Sequence, residues 1–493
     1  MRSSSFERVR PARRVPVGPG LSPRLGRAEP HAPLAPPARL RHRRAMTRRG
    51  RVTLALLLAL GFSGGWWTTR QVLGLVRGGD GGLEPPPVSS GPGVWNREKA
   101  ARAPAPAPAV VEPLPPPPAP EQVLRLLPPS ARDGLPAPDA PTETLRSERL
   151  GAPLVERPLE VEYTIDPELT RAVAAILRQG RVELGHVILM DPLDGRVLSY
   201  VSTAPEVFPP TRPYPMASLM KVVTAAALLE SAPQAIARPC VFRGSPYTLS
   251  AALLDPPRRG RVTSFEHALA MSNNQCFAQL AVHELGALRV LDELAALGVL
   301  ESPGPGHAPG EVDPVVSRLD LGQLGSGLAG SRLPPLAAAR LAAALADGEL
   351  VAPRWIARVS DADGTDLALP ELAARRVLDP GVTRSLRRML VETTISGTAR
   401  RAFHHKGRPL LEPVRVAGKT GSLSGPDPKG HYEWFIGVAP ASAPRVAVAT
   451  LLVHRDRKWT SAAQVSAEVL RAMFCPGGAC AASAFAAAGA EHP

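Results

Sequence analysis

The sequence predicts a domain of the α/β (α+β) class: a mostly antiparallel sheet flanked by helices, with an inserted all-helical subdomain. Three observations lead there. Strand-like runs cluster at residues 160–201 and again at 414–453, and a long stretch of helical periodicity separates them. No internal repeat interrupts that order, so both strand groups belong to one domain of about 160–474.

The elements follow in order. Glu160–Ile165 alternates as a short strand. Asp166 caps a helix that Pro167 opens and that runs to about Arg178. Two apolar runs, Val187–Met190 and Val197–Val201, flank Asp191-Pro192-Leu193-Asp194-Gly195, whose turn-forming residues predict a hairpin. Apolar residues recur at helical spacing over 217–230, 265–297, 334–347, 381–393 and 460–473. Val414–Thr420, Trp434–Ala439 and Arg445–Val453 then read as three strands. The Ala/Gly-rich residues 475–493 read as a loose tail.

The rest of the chain has a different character. Its 493 residues carry a net charge of +14, but the charge is concentrated at one end. Residues 1–51 hold 14 arginines and two acids, so the remainder nets only +2. A nearly neutral body with a basic head is not a nucleic-acid-binding surface. It matches the charge bias that orients a membrane segment. Arg48, Arg49 and Arg51 precede an uncharged run from Val52 to Thr69, about 18 residues, the low end of what spans a bilayer. Trp66 and Trp67 stand near its far end, as interfacial tryptophans do. Without a clean small-residue cleavage site, an uncleaved signal anchor over 52–69 is favoured over a cleaved signal peptide. Residues 1–51 then form a disordered cytoplasmic head, within which Met46 is a candidate initiator. From Glu84 to Pro158 there are 20 prolines in 75 residues. Such a segment favours extended polyproline conformation and buries no core, so 70–159 reads as a tether.

Lysine usage is the most informative chemical fact. There are six lysines against 52 arginines. A chain with that bias uses Arg wherever a positive charge suffices, so its lysines are candidates for work Arg cannot do, such as giving up a proton. In Ser218-Leu219-Met220-Lys221, positions i and i+3 of a helix share a face, which puts hydroxyl beside amine. A buried lysine beside another cation can deprotonate a serine. By itself the pattern is weak, with roughly 0.4 matches expected by chance. Lys419-Thr420-Gly421-Ser422 is sharper, ending an apolar run on a strand whose glycine admits close backbone approach. Between them Ser272-Asn273-Asn274 sits at a break in the helical pattern after Met271. Lys458 reads as a surface charge. His404-His405 reads as an exposed pair, not a metal site, and Trp434 as packing more than cleft wall.

The three motifs in this order resemble the penicillin-recognising active-site serine acyl transferases, and the chain resembles the transpeptidase domain of penicillin-binding proteins. The resemblance spans roughly 160–474, through VEYTIDPELTRAV, VILMDPLDGRVLSYV, SNNQCFAQLA, Gly397–Ala402 and HYEWFIGVAP. It implies a five-stranded sheet and a membrane-anchored D,D-transpeptidase that acts on D-Ala-D-Ala stem peptides of peptidoglycan and is acylated by β-lactams. Ser218 is the implied nucleophile and Lys221 its base, with Ser272 and Lys419 in proton relay. Asn274, Thr420, Gly421 and Ser422 are the implied substrate-binding set, and the N–H groups of Ser218 and Ser422 the oxyanion hole. No metal or cofactor is implied. The implied partners are the cell membrane, stem peptides, β-lactams and a candidate wall-synthesis complex. The implied location is the inner (cytoplasmic) membrane, single-pass, with the catalytic domain extracytoplasmic.

Two features depart from the family pattern. Ser422 replaces a frequent threonine, and the loop between Lys419 and Trp434 is short. The four cysteines leave three full pairings open, with Cys475–Cys480 the local candidate and Cys240–Cys276 another because Cys276 adjoins the second motif. The alternatives are a D,D-carboxypeptidase, a β-lactamase, or a non-enzymatic β-lactam sensor or scaffold. A β-lactamase is disfavoured by the 147-residue separation of Ser272 and Lys419 and by the lack of an E-x-x-x-N segment between them.

Overall fold

The computed structural model describes Pro120, Val123, residues 142–147 and residues 157–481. The basic head, the apolar run 52–69, most of the proline-rich stretch and the end of the tail lie outside the described residues. Among the described residues no helix is long and apolar enough to cross a membrane.

The first strands are β1 (Thr142–Ser147) and β2 (Arg157–Tyr163). Helix α1 (Pro167–Gln179) follows, and Asp166 caps it by accepting from the Leu169 N–H at 2.9 Å, as the sequence predicts. The hairpin β3 (Leu184–Met190) and β4 (Val197–Ser202) forms in the expected place. The longer helices that come next are α2 (Met220–Ser231), α3 (Phe265–Ala270), α4 (Asn274–Leu280), α5 (Gly286–Ala296), α6 (Arg318–Ser326) and α7 (Pro335–Ala343). Strand β5 (Ile356–Ser360) and helix α8 (Pro380–Ile395) lead to the closing strands β6 (Ala417–Pro426), β7 (Lys429–Ala439) and β8 (Val446–His454), then helix α9 (Ala462–Phe474).

The central sheet has five antiparallel strands in the order β6-β7-β8-β3-β4. Both faces are covered, which is why its inner strands read as unbroken apolar runs. Successive residues of β3 enter opposite cores. Ile188 and Met190 join Leu336 and Ala339 of α7 on one side. Val187 and Leu189 join Val173 of α1 and Val465 and Leu470 of α9 on the other.

The structure corrects three expectations. The strand near residue 160 does not join the central sheet; β2 is the middle of a separate three-stranded sheet, β1-β2-β5. Its partner β1 falls within the stretch read as a tether. Thr142 to Ser147 pair in register with Glu162 to Arg157, and Val123 is fully buried. Prolines on both sides hid a proline-free, alternating hexapeptide. Lastly, no loop separates Lys419 from Trp434: β6 and β7 form one long hairpin turning at Asp427-Pro428, because polar, alternating residues at its exposed end carry no apolar run. Helix α6 was not expected either, since its two glycines lower helical propensity.

Because β1 and Val123 belong to the folded unit, a chain beginning at residue 157 should melt at least roughly 3 °C below one beginning at 110. Equal melting temperatures in a thermal unfolding scan would show that neither contributes.

Candidate active site

The nucleophile candidate is placed by a tight junction. A 3₁₀ turn, Ala217–Leu219, leads into α2, and Ala217 takes a left-handed φ of +50°. Such a conformation in a non-glycine residue costs about 1–3 kcal/mol and persists only where the surroundings impose it. They do so here. A Cβ on Gly327, at φ +70° just past α6, would stand 2.0 Å from the Ala217 carbonyl oxygen. A Cβ on Gly421 of β6 would stand 3.4 Å from Ala217 Cβ. Ser218 is thereby held between the end of α6 and the edge strand β6, facing the cleft.

Lys221 lies one turn along and is fully buried. Its Nζ is 2.9 Å from Ser218 Oγ, 2.7 Å from Asn274 Oδ1 and 2.5 Å from the Ser326 carbonyl oxygen. The last two can only accept. Burial pushes the Lys221 amine well below its usual range, and the charge of Lys419 pushes it further. A neutral amine has two hydrogens and one lone pair. In that form, hydrogens given to Asn274 and Ser326 would leave the lone pair for the Ser218 hydroxyl.

Lys419 is also fully buried, on β6. Its Nζ donates to Ser272 Oγ at 3.0 Å and to the Thr420 carbonyl at 2.9 Å. Burial lowers this amine to about 7. Ser272 sits between α3 and α4 at φ +56°, a second strained residue. Asn273 caps α4 by accepting from the Cys276 N–H, and Asn274 Nδ2 donates to the Tyr247 carbonyl at 2.7 Å. The Cys240–Cys276 disulfide and the hydrogen bonds of Gln275 to Arg243 and Ser245 fasten the start of α4 to the chain at residues 240–245. The second disulfide is Cys475–Cys480, so of the three pairings the chain forms this one.

All eight sequence-predicted residues therefore converge on one cleft of about 710 Å³. Ser218, Ser272, Asn274, Thr420, Gly421 and Ser422 line it, and the two lysines lie beneath. Thr420 Oγ1 meets Thr398 Oγ1 at 2.5 Å, and Thr398 in turn bonds the Ala270 carbonyl at the end of α3. That contact gives the Gly397–Ala402 landmark a structural meaning.

Several cleft residues were missed or misread. Lys458 is no isolated surface charge. It pairs with Glu433, the cross-strand neighbour of Ser422, and both line the cleft. Burial raises the Glu433 carboxyl, but the neighbouring His454 imidazole, 3.4 Å away, and the hydrogen bond from Lys458 outweigh it and hold the group below its usual range. The only signal was that Lys458 belongs to the scarce lysines. His431 Nε2 lies 2.8 Å from Ser422 Oγ, a contact that needs the long hairpin the sequence concealed. Trp434 both packs and lines the cleft; it is 1% exposed, and its Nε1 donates to the Pro215 carbonyl at 2.8 Å. His405 is exposed and His404 half-buried. Among the described residues no group of His, Cys, Asp or Glu could hold a metal ion.

The comparisons with known proteins match this geometry. The family model described as the penicillin binding protein transpeptidase domain matches residues 185–474. The chain belongs to this family. Like the other members it is an acyl-transferring enzyme. It is 28% identical over 361 residues to the peptidoglycan D,D-transpeptidase PbpA of Mycobacterium tuberculosis, covering 64% of this chain and 71% of that one. It is also 28% identical over 344 residues to PbpA of Mycolicibacterium smegmatis, covering 59% and 67%. Among solved structures, the ceftriaxone acyl-enzyme complex of penicillin-binding protein A from M. tuberculosis superposes with a TM-score of 0.53 at 26% identity, covering 63% of this chain and 78% of that one.

The buried lysines make a prediction about stability. Lys419 has a folded pKa of about 7 against an ordinary 10.5. Between those values the unfolded chain binds the extra proton, so stability rises with pH, by up to about 1 kcal/mol per pH unit. Lys419→Met should flatten the rise in denaturant midpoint between pH 7 and 9. An unchanged slope in the variant would mean that Lys419 is charged throughout.

Proposed function

We infer that the chain is a membrane-anchored D,D-transpeptidase that cross-links peptidoglycan stem peptides through an acyl-enzyme on Ser218. The observation that carries this reading is the Lys221 amine, fully buried 2.9 Å from the Ser218 hydroxyl, with Asn274 and the Ser326 carbonyl as its other partners. The names of the curated relatives favour a D,D-transpeptidase over a carboxypeptidase.

In this mechanism the Ser218 hydroxyl passes its proton to Lys221 as Oγ attacks the carbonyl carbon of the penultimate D-Ala. Backbone N–H groups of Ser218 and Ser422 hold the resulting oxyanion. The bond to the terminal D-Ala breaks, and its nitrogen receives a proton through Ser272, with Lys419 supporting the transfer. Asn274 bonds the substrate amide, while Thr420 and Ser422 hold the terminal carboxylate, with Gly421 keeping that strand close to Ser218. An acceptor amine then attacks the acyl group and releases Ser218. A β-lactam enters the same first step and stays bound.

A fluorescent penicillin should label the full chain, with an adduct lasting minutes or longer. Ser218→Ala should abolish labelling. A guanidinium cannot be neutral near pH 7, so Lys221→Arg should slow labelling at least about 100-fold. Lys429→Arg, at an exposed position near the hairpin turn, is the control and should label at the normal rate. Equal rates in the two arginine variants would remove Lys221 as the base. Rapid turnover of the drug without an adduct would indicate a β-lactamase.

The arginine-rich head, the apolar run 52–69 and the two disulfides support anchoring in the cytoplasmic membrane with the domain outside the cytoplasm. A reporter active only in the cytoplasm should be silent when fused after Pro493. A strong signal from the intact fusion would reverse the topology.

A further inference from the structure

A second cavity, of about 740 Å³, adjoins the catalytic cleft. The two meet at Arg401, Ala402 and Gln464, which line both. Away from that junction the second cavity runs between α1 and α9. His404 and His405 border it, as does Trp459 from the loop after β8.

Its chemistry is not that of a packing defect. Trp459 is 52% exposed, and the Arg181 guanidinium lies 4.5 Å from its ring centroid, giving a half-exposed aromatic ledge beside a cation. Arg401 is exposed and has no ion pair among the described residues. The one acid in the wall, Glu468, already pairs with Arg471 at 2.7 Å. The lining thus offers an uncommitted positive charge at the end nearest Ser218 and an aromatic surface further out.

Transpeptidation needs such a place and hydrolysis does not. While the donor acyl group occupies Ser218, a second stem peptide must bring its amine to the acyl carbonyl, and that peptide carries free carboxylates. Water needs no binding surface. We propose that this groove is the acceptor subsite. It binds an amine-bearing, carboxylate-rich stem peptide, with a carboxylate at Arg401 and the peptide chain against Trp459. This rests on the transpeptidase reading above and adds which surface selects the second substrate.

The test uses the full chain in detergent. The donor is a stem pentapeptide ending in D-Ala-D-Ala. The acceptor is a tripeptide stem with a free side-chain amine, which lacks D-Ala and cannot acylate the enzyme. Trp459→Ala and Arg401→Ala should each raise the acceptor concentration for half-maximal cross-linking roughly tenfold, the effect of losing one good contact. Donor hydrolysis without acceptor in Trp459→Ala should stay within about twofold of normal. Cross-linking by both variants at the unsubstituted enzyme's acceptor concentrations would remove the groove and leave the transpeptidase reading intact. Equal losses of cross-linking and hydrolysis would also overturn it, as general damage to the cleft. An unsubstituted enzyme that hydrolyses donor but never cross-links would remove the transpeptidase reading itself, and the subsite with it.

Discussion

The site depends on the burial of one ammonium-forming group with only two permanent acceptors. Lys221 has no contact with solvent, and a charged amine there would be desolvated beside the buried Lys419. Asn274 Oδ1 and the Ser326 carbonyl satisfy a neutral amine and leave its lone pair with a single partner. Each support comes from a different part of the chain. Lys221 is on α2, Asn274 opens α4, and Ser326 ends α6. The inserted helical subdomain therefore contributes two of the three contacts that set the protonation state of a group next to the central sheet.

That dependence accounts for the strained backbone. Ala217 and Ser272 are left-handed without being glycine, and each precedes or carries a side chain of the reacting set. The contacts that hold them are close: Gly327 against the Ala217 carbonyl, and Lys419 against the Ser272 hydroxyl. Both strained turns abut β6, the edge of the five-stranded sheet or the lysine it carries. The sheet behind β6, buried on both faces, is the rigid body against which the two turns are fixed.

Much of this was legible because the candidate site falls in three short motifs, two of which carry one of the scarce lysines. With six lysines in the chain, Lys221 and Lys419 stood out before any fold was known. The central strands were legible because two covered faces make continuous apolar runs. What stayed hidden was polar and non-local. The outer half of the β6–β7 hairpin has no apolar signal, so the His431–Ser422 and Glu433–Lys458 contacts could not be foreseen. Helix α6 supplies a backbone carbonyl to Lys221, and carbonyls leave no mark in a sequence. Strand β1 was concealed by the prolines around it. The pairing of Lys458 with Glu433 shows that lysine scarcity pointed to a position otherwise read as a plain surface charge.

Strand β1 has a mechanical consequence. Thr142 pairs with Glu162, and the chain leaves β2 for the rest of the domain immediately after, at Tyr163. Tension that reaches Thr142, once the buried Val123 has been released, thus enters the hairpin at the end where β2 is anchored. Its ladder is loaded one rung at a time, as a zipper is opened, not all rungs together in shear. β1 would peel rung by rung and free residues 142–156, on the order of 50 Å of extended backbone. The pairing of β2 with β5 would be pulled on directly only after that length was spent. An enzyme working on a wall that grows and shifts would then have a short, reversible slack built in ahead of its catalytic cleft.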